Sequence, residues 1–137
     1  MKRLLSLLAV VSVFLSFPIR PTYASNLANA RWTNTHDFTI SHCYDHGNAS
    51  CSVSILGYSD AIVTNVSISF DMITTDGLIN IASWNDLSGG QYFTFSDTVP
   101  NIEVECVYRL SFTADVVRNG VVETISDHLD LFYTEDM

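Results

Sequence analysis

The sequence predicts an all-β domain, a single antiparallel sandwich of about seven strands. Apolar residues recur at every second position in short runs, which is the period of a half-buried strand. Turn residues separate these runs, and no run sustains the period of a helix. The runs fill roughly 100 residues, a count and spacing typical of an immunoglobulin- or fibronectin-like sandwich.

The first 24 residues have the organisation of a secretory signal peptide. Lys2 and Arg3 precede an apolar run at residues 4–17, and the segment 22–24 supplies small residues at the positions that a signal peptidase reads. The run has 14 residues, fewer than the roughly 20 needed to span a bilayer. We predict cleavage after Ala24, with Ala30 as the alternative, and a secreted, extracellular product without a membrane segment.

Residues 25–35 are predicted to be an extended lead-in, and residues 36–137 to be the sandwich domain. The chain has 6 basic residues and 15 carboxylates; cleavage removes three of the basic residues, so the mature charge is 3 − 15 = −12. A surface this acidic repels phosphate backbones and anionic lipid headgroups, which disfavours nucleic acid and membrane partners. We expect a monomer or weak oligomer with an unknown protein or glycan partner.

The first two strands are predicted at residues 37–44 and 50–57, around a turn at residues 46–48. In one register of this hairpin Cys43 lies opposite Cys51. In the register shifted by one residue, Phe38 lies opposite Ile55, which gives a better core but separates the two cysteines.

The chain has three cysteines, an odd number, and export permits a disulfide between two of them. We predict a bridge between Cys43 and Cys51. The alternatives are a bridge between Cys51 and Cys106, which resembles the inter-sheet bridge of immunoglobulin domains, and a fully reduced protein.

The remaining strands are predicted at residues 65–72, 78–84, 91–96 and 102–116, with a seventh after Gly120. Asn119-Gly120 supplies the two positive-φ residues of a tight hairpin turn between the last two strands. The register that this turn sets places Leu110 opposite Leu129 on the inward face. It also places Asp127 opposite Phe112, a mismatch that predicts a bulge or a widening of the strand pair.

Several landmarks follow one another in a definite order: Cys43, Ala49-Ser50-Cys51, Gly57, Val66 to Met72, Trp84, Tyr108-Arg109-Leu110, Asn119-Gly120 and Glu123. This order resembles that of a group of small exported bacterial β-sandwich proteins, mostly from Gram-positive species, that carry no assigned function. The resemblance covers nearly all of the chain after residue 24. It implies a secreted sandwich with an early cysteine pair and no catalytic residue. Tyr108-Arg109-Leu110 is also similar to the sixth strand of fibronectin-type domains.

The chain lacks a recognisable catalytic or metal-binding motif. The stretch from His42 to Cys51 contains zinc-ligand residue types without the usual knuckle spacing, so we predict no metal site. No nucleophile elbow occurs. Glu103 and Glu105 have the spacing of a glycosidase pair, but charges that alternate with apolar residues are ordinary on the outer face of a strand. We therefore predict no catalytic residue and no cofactor, with a hydrolase as a remote alternative.

The segment from Trp84 to Phe95 interleaves aromatic and polar side chains, a pattern typical of binding surfaces on sandwiches. The candidate ligand-binding residues are Trp84, Asn85, Asp86, Gln91 and Tyr92. The other aromatic residues considered as exposed are Trp32, Phe93 and Phe132. Core packing is expected to account for at least half of these aromatic residues, since Phe93 and Phe95 share a face.

Aspartates at residues 71–77 and in the Asp86 loop offer oxygen ligands for calcium, although neither stretch matches the twelve-residue calcium loop. We predict an exported, non-enzymatic binding or surface-interaction module. A sugar- or calcium-dependent binding domain is the alternative.

Overall fold

The computed structural model describes residues 32–136, which form seven antiparallel strands in two sheets. The strands are β1 (Thr35–Asp45), β2 (Asn48–Gly57), β3 (Ile62–Thr74), β4 (Gly77–Leu87), β5 (Tyr92–Val99), β6 (Cys106–Arg118) and β7 (Val121–Tyr133). One sheet has the order β1-β2-β5 and the other has the order β4-β3-β6-β7. This arrangement confirms the predicted seven-stranded sandwich and has the strand order of fibronectin-type domains.

The predicted signal peptide and residues 25–31 of the predicted lead-in lie outside the described residues. Within residues 32–136, no helix has the length and apolar character required to cross a membrane.

The core lies between the two sheets and is built from the alternate side chains of each strand. Its largest fully buried members are Tyr108, Phe70, Ile55, Ile68, Leu110 and Ile125. The rings of Phe70 and Tyr108 stack with centroids 5.1 Å apart. Each large apolar side chain buried in this way contributes about 1.5–3 kcal/mol to the free energy of unfolding.

The hydroxyl of Tyr108 ties the start of β6 to the segment before it. The hydroxyl donates to the carbonyl oxygen of Glu103 and accepts from the amide nitrogen of Glu103, both at 2.8 Å. This arrangement is the tyrosine corner of immunoglobulin-like sandwiches. Because burial raises the pKa of Tyr108, the hydroxyl keeps the proton that it donates.

The predicted sixth strand, residues 102–116, begins too early. β6 starts at Cys106, because Asn101 and Glu105 adopt positive φ angles of 59° and 61° that interrupt an extended chain. The carboxylates of Glu103 and Glu105 therefore lie in the irregular segment before β6 and do not share one face of a strand.

The hairpin of β1 and β2 adopts the register with the better core. Phe38 lies opposite Ile55, and Cys43 lies opposite Ser50. The two-residue turn His46-Gly47 has positive φ angles of 49° and 81°, as a type I′ hairpin turn requires.

The hairpin of β6 and β7 has the predicted register, with Leu110 opposite Leu129. The predicted bulge at Asp127 is wrong, because pairing runs unbroken and Asp127 lies opposite Phe112. The Asp127 carboxylate accepts a hydrogen bond from the His128 backbone N–H at 2.8 Å, so it turns towards its own strand without disturbing the pairing.

Hydrogen bonds join the two sheets along the side where β1 faces β7. Nε2 of His42 donates to the carbonyl oxygen of Leu129 at 2.9 Å. The Tyr44 hydroxyl lies 3.1 Å from the carbonyl oxygen of Leu131 and 2.9 Å from Nδ1 of His42. Burial lowers the pKa of His42, which favours the neutral ring at neutral pH.

The opposite side of the sandwich, where β4 faces β5, is joined by Trp84. Its indole N–H donates to Oδ2 of Asp97 at 2.8 Å, and its ring packs on Phe95 with centroids 4.9 Å apart. Both sides of the sandwich are thus joined by a polar contact as well as by packing.

Glu123 of β7 anchors the residues that lead into β1. One carboxylate oxygen accepts from the amide and hydroxyl of Thr33, at 2.8 and 3.0 Å. The other accepts from the amides of Asn34 and Thr35, at 3.2 and 3.0 Å. Burial alone would raise the pKa of Glu123, but the donors from Thr33, Thr35 and Asn34 together hold it below its ordinary value.

We expect Glu123→Gln to destabilise the protein by about 1–3 kcal/mol at pH 7, because the amide has one acceptor oxygen in place of two charged ones. Urea unfolding followed by circular dichroism measures this change, and Glu135→Gln at an exposed position is the control.

The contribution of Glu123 should depend on pH in a defined direction. Because its folded-state pKa is lowered, the stability it provides is fully present above its ordinary pKa of 4.5 and is lost as the pH falls through the folded value. The stability difference between wild type and Glu123→Gln should shrink in that range. A difference that is unchanged between pH 7 and pH 3 would contradict the anchoring role.

Candidate functional site

The structure divides the predicted ligand-binding residues between two places. Trp84 is half-buried and engaged with Asp97, so its indole supports the fold and is not a free binding platform. Asn85 and Asp86 follow it in β4 and are exposed, and Asp86 has a positive φ of 58°.

Gln91 immediately precedes β5, and Tyr92 is the first residue of that strand. Nε2 of Gln91 donates to the carbonyl oxygen of Gly57 at 3.2 Å, which holds the loop before β5 against the end of β2. Tyr92 is 59% exposed. Of the five candidates, Tyr92 is therefore the one that presents an aromatic ring to solvent.

The other aromatic residues considered as exposed have different environments. Phe93 is buried in the core, because it alternates with Tyr92 along β5 and faces the opposite sheet, so for this residue the core-packing alternative is confirmed. Trp32 is half-buried and packs on Phe38 with ring centroids 5.0 Å apart. Phe132 is exposed, as predicted, on the four-stranded sheet.

A pocket of about 240 Å³ opens beside Tyr92 on the outer face of the three-stranded sheet. We call it the Tyr92 pocket, and it is lined by Asp37, Phe38, Thr39, Ser54, Leu56 and Tyr92. It is smaller than the roughly 300–1,000 Å³ of pockets that enclose drug-sized ligands. Its size suits one small unit of a ligand.

Neighbouring strands supply the two kinds of surface in this pocket. Leu56 pairs with Tyr92 and with Asp37, so that an apolar side chain, an aromatic ring and a carboxylate form one row across the sheet. In the next row Thr39 pairs with Ser54, which adds two hydroxyls. The Asp37 carboxylate also accepts a hydrogen bond from the Phe38 backbone N–H at 2.8 Å, which orients it.

Between Asp37 and Asp45, nine positions on the outer surface of the three-stranded sheet carry small side chains with a hydroxyl or a thiol. We call this surface the hydroxyl face. It consists of three rows across β1, β2 and β5, which are Thr39, Ser54 and Thr94; Ser41, Ser52 and Ser96; and Cys43, Ser50 and Thr98.

The hydroxyl face was not predicted from the sequence. Its signal is a Ser or Thr at every second position in β2 and β5 and in part of β1. Each strand alone shows the ordinary alternation of core and solvent positions. The surface becomes visible only when β5 is known to pair with β2.

The outer surface of the four-stranded sheet has a different character. Arg109 and Asp130 form a two-pronged ion pair there, at 2.7 and 3.0 Å. Asp115 accepts hydrogen bonds from Thr124 and Asn65, which lower the pKa of its carboxyl group. This sheet carries charged groups on its outward side, and the hydroxyl face does not.

The residues weighed as metal ligands are dispersed or already engaged. The Asp71 carboxylate is buried and accepts hydrogen bonds from Ser69 and Asn80, at 2.8 and 2.9 Å. His42 faces the core, whereas Cys43 faces solvent. Across residues 32–136, no group of three or more His, Cys, Asp or Glu side chains is arranged to hold a metal ion.

The three cysteines are free thiols, so within the described part of the chain neither predicted disulfide is present. Cys43 lies opposite Ser50 and is exposed, whereas Cys51 is 1% exposed in the core. In the observed register the two thiols point to opposite faces of the sheet, a geometry that a disulfide cannot span without backbone movement. Cys106 is half-buried at the start of β6.

We expect a thiol reagent to label Cys43 in the folded protein well before Cys51. Burial, together with the nearby charge of Asp97, raises the pKa of Cys51 to about 12, so almost no reactive thiolate forms near neutral pH. Mass spectrometry of timed labelling reactions measures both rates, and Cys43→Ser should remove the fast phase. A mass two hydrogens lower, with no labelling of either residue before reduction, would show that the two residues form a disulfide.

No protein-family model matches the chain, and no curated protein matches it either. Among solved structures, it is similar to the sporulation control protein Spo0M from Bacillus subtilis, with 15% identity and a TM-score of 0.42. That match covers 72% of this chain and 48% of Spo0M.

Two glycosidase structures also match. A β-glucuronidase from Parabacteroides merdae has 10% identity and a TM-score of 0.43, over 69% of this chain and 13% of the enzyme. A putative β-galactosidase from Bacteroides fragilis has 15% identity and a TM-score of 0.37, over 67% of this chain and 15% of that protein. The chain thus spans about half the length of Spo0M and less than a sixth of each glycosidase.

Proposed function

We propose that this protein is an exported, non-enzymatic binding module that holds a saccharide unit in the Tyr92 pocket. The observation that carries the proposal is the exposed ring of Tyr92 beside one carboxylate and two hydroxyls in a small surface pocket. Export is supported by the signal-peptide organisation of residues 1–24.

A saccharide ring has both of the surfaces that this pocket complements. Its C–H groups form an apolar face that packs on an aromatic ring, and its hydroxyls donate and accept hydrogen bonds around the rim. In the Tyr92 pocket, Tyr92 and Leu56 offer the apolar contact. Asp37 accepts hydrogen bonds, and Thr39 and Ser54 both donate and accept them.

The number of atoms in one sugar unit gives the expected affinity of the pocket for it. A hexose has about 12 non-hydrogen atoms, and about 0.3 kcal/mol per atom gives roughly 4 kcal/mol of binding free energy. That value corresponds to a dissociation constant of about 1 mM. A single unit should therefore bind weakly and reversibly, as expected for a module that recognises a surface.

The pocket lining favours binding over catalysis. Among the residues that line it, Asp37 is the carboxylate, and neither histidine nor cysteine contributes. Hydrolysis of a glycosidic bond ordinarily uses two carboxyl groups that flank the bond. One carboxylate beside hydroxyls and an aromatic ring is the composition of a recognition site.

We expect Tyr92→Ala to weaken monosaccharide binding at least tenfold, because the ring is the main apolar surface in the pocket. The matched control is Phe132→Ala, which removes an exposed aromatic ring from the other sheet and should change affinity less than twofold. A panel of immobilised saccharides identifies the ligand, and isothermal titration calorimetry measures each variant.

Thermal melts of both variants establish that they remain folded. If wild-type protein binds no saccharide of the panel at millimolar concentration, the proposed function is wrong. Equal binding by wild type and Tyr92→Ala would place the sugar site outside this pocket.

A further inference from the structure

We infer that the ligand is an extended, uncharged polysaccharide that leaves the Tyr92 pocket and runs along the hydroxyl face. The inference rests on the proposed function and names the class of glycan that the same surface takes. It follows from the dimensions, the charge and the side-chain chemistry of the outer surface of the three-stranded sheet.

The hydroxyl face continues directly from the pocket. Thr39 and Ser54 line the Tyr92 pocket and also form the first row of this face. Neighbouring strands lie about 4.8 Å apart, and successive outward positions on one strand lie about 6.8 Å apart. From the row of Tyr92 to the row of Cys43 the surface is therefore about 20 Å long and about 10 Å wide. These dimensions suit several linked sugar units better than one.

The hydroxyl face carries no charged side chain, although the protein is strongly acidic. All 15 carboxylates of the chain lie within the described residues. Asp37 and Asp45 project from the outer side of the three-stranded sheet, one at each end of β1. The nine positions of the hydroxyl face between them carry none. An anionic polysaccharide would be repelled by the surrounding carboxylates, so this surface suits an uncharged chain.

The side chains of the hydroxyl face are free to bind. Within the described residues, none of the eight hydroxyls makes a side-chain hydrogen bond to the protein. Each is a donor and an acceptor, as sugar hydroxyls are. Serine and threonine also lose less conformational freedom on binding than the long polar side chains do.

The short side chains of the hydroxyl face favour a saccharide chain that lies along the strands. Serine, threonine and cysteine are short, so the hydroxyl face has no tall side chain to block a passing polymer. Tyr92 stands at one end, where its ring can hold one sugar unit in the pocket. The polymer therefore has one anchored unit and several units that contact hydroxyls.

The test measures how affinity depends on the length and the charge of the saccharide. It uses a series of uncharged β-1,4-linked glucose oligosaccharides from one to six units. The readout is the ratio of hexasaccharide to monosaccharide affinity, measured by isothermal titration calorimetry. We expect at least a tenfold gain for wild type. Ser96→Glu places a carboxylate in the middle row of the hydroxyl face and should reduce the ratio to about one, because the charge must lose its water beneath the chain.

The matched control is Ser126→Glu, at an exposed position on β7, the edge strand of the other sheet, which should leave the ratio unchanged. A carboxymethylated hexasaccharide should bind at least tenfold more weakly than the uncharged one. A wild-type ratio near one, or a ratio that Ser96→Glu leaves unchanged, overturns the inference.

These outcomes separate this inference from the proposed function. Monosaccharide binding that is lost in Tyr92→Ala, together with a wild-type ratio near one, retains the proposed function and removes only the extended chain. If wild type is a dimer on gel filtration and Ser96→Glu makes it a monomer, a second copy occupies the hydroxyl face and the inference is overturned.

Discussion

The hydrogen bonds of Glu123 hold the start of β1 against β7 and close the sandwich at this point. The carboxylate accepts hydrogen bonds from the backbone amides of three consecutive residues, Thr33 to Thr35, which lie immediately before and at the start of β1. Because side chains alternate along a strand, a shift of one residue would exchange the two faces of β1. Thr39 and Ser41 would then face the core, and the aromatic Phe38 would face solvent. Glu123 thus fixes one end of β1, and the unbroken pairing from the turn at His46-Gly47 to Asp37 fixes which of its side chains face outward.

The two outer surfaces of the sandwich differ in charge. The four-stranded sheet carries charged groups such as the Arg109 and Asp130 pair, which favour hydration. The hydroxyl face of the three-stranded sheet, between Asp37 and Asp45, carries neutral side chains. In a chain with 15 carboxylates and 6 basic residues, this segregation is not expected from composition alone. A surface kept neutral in this way interacts through shape and hydrogen bonding, which fits recognition of a neutral ligand.

The parts of the fold that depend on local alternation were predictable. Asn119-Gly120 fixed the register of β6 and β7, because a two-residue turn leaves one choice of partners. The start of β6 was not predictable, because the alternating pattern of residues 102–116 gives no sign of the positive φ that Glu105 adopts. The role of Trp84 was also hidden, because it depends on β5 facing β4 across the sandwich. Of the residues that form the candidate site, the sequence predicted Tyr92. The others could be recognised only once the pairing of β2 with β5 was known.

The contacts of His42 and Tyr44 have a consequence for how the protein behaves at high concentration. An edge strand with unpaired carbonyl groups is a template on which a strand of another molecule can add, and repetition of that step leads to fibrils. β7 is such an edge strand. The carbonyl groups of Leu129 and Leu131, which His42 and Tyr44 contact, point towards β6 and belong to its ladder, so the free groups of this edge are those of the residues between and beside them. These contacts leave the edge itself open, but the exchange of β7 between two molecules must first break them, so the residues that close the sandwich guard it against domain swapping.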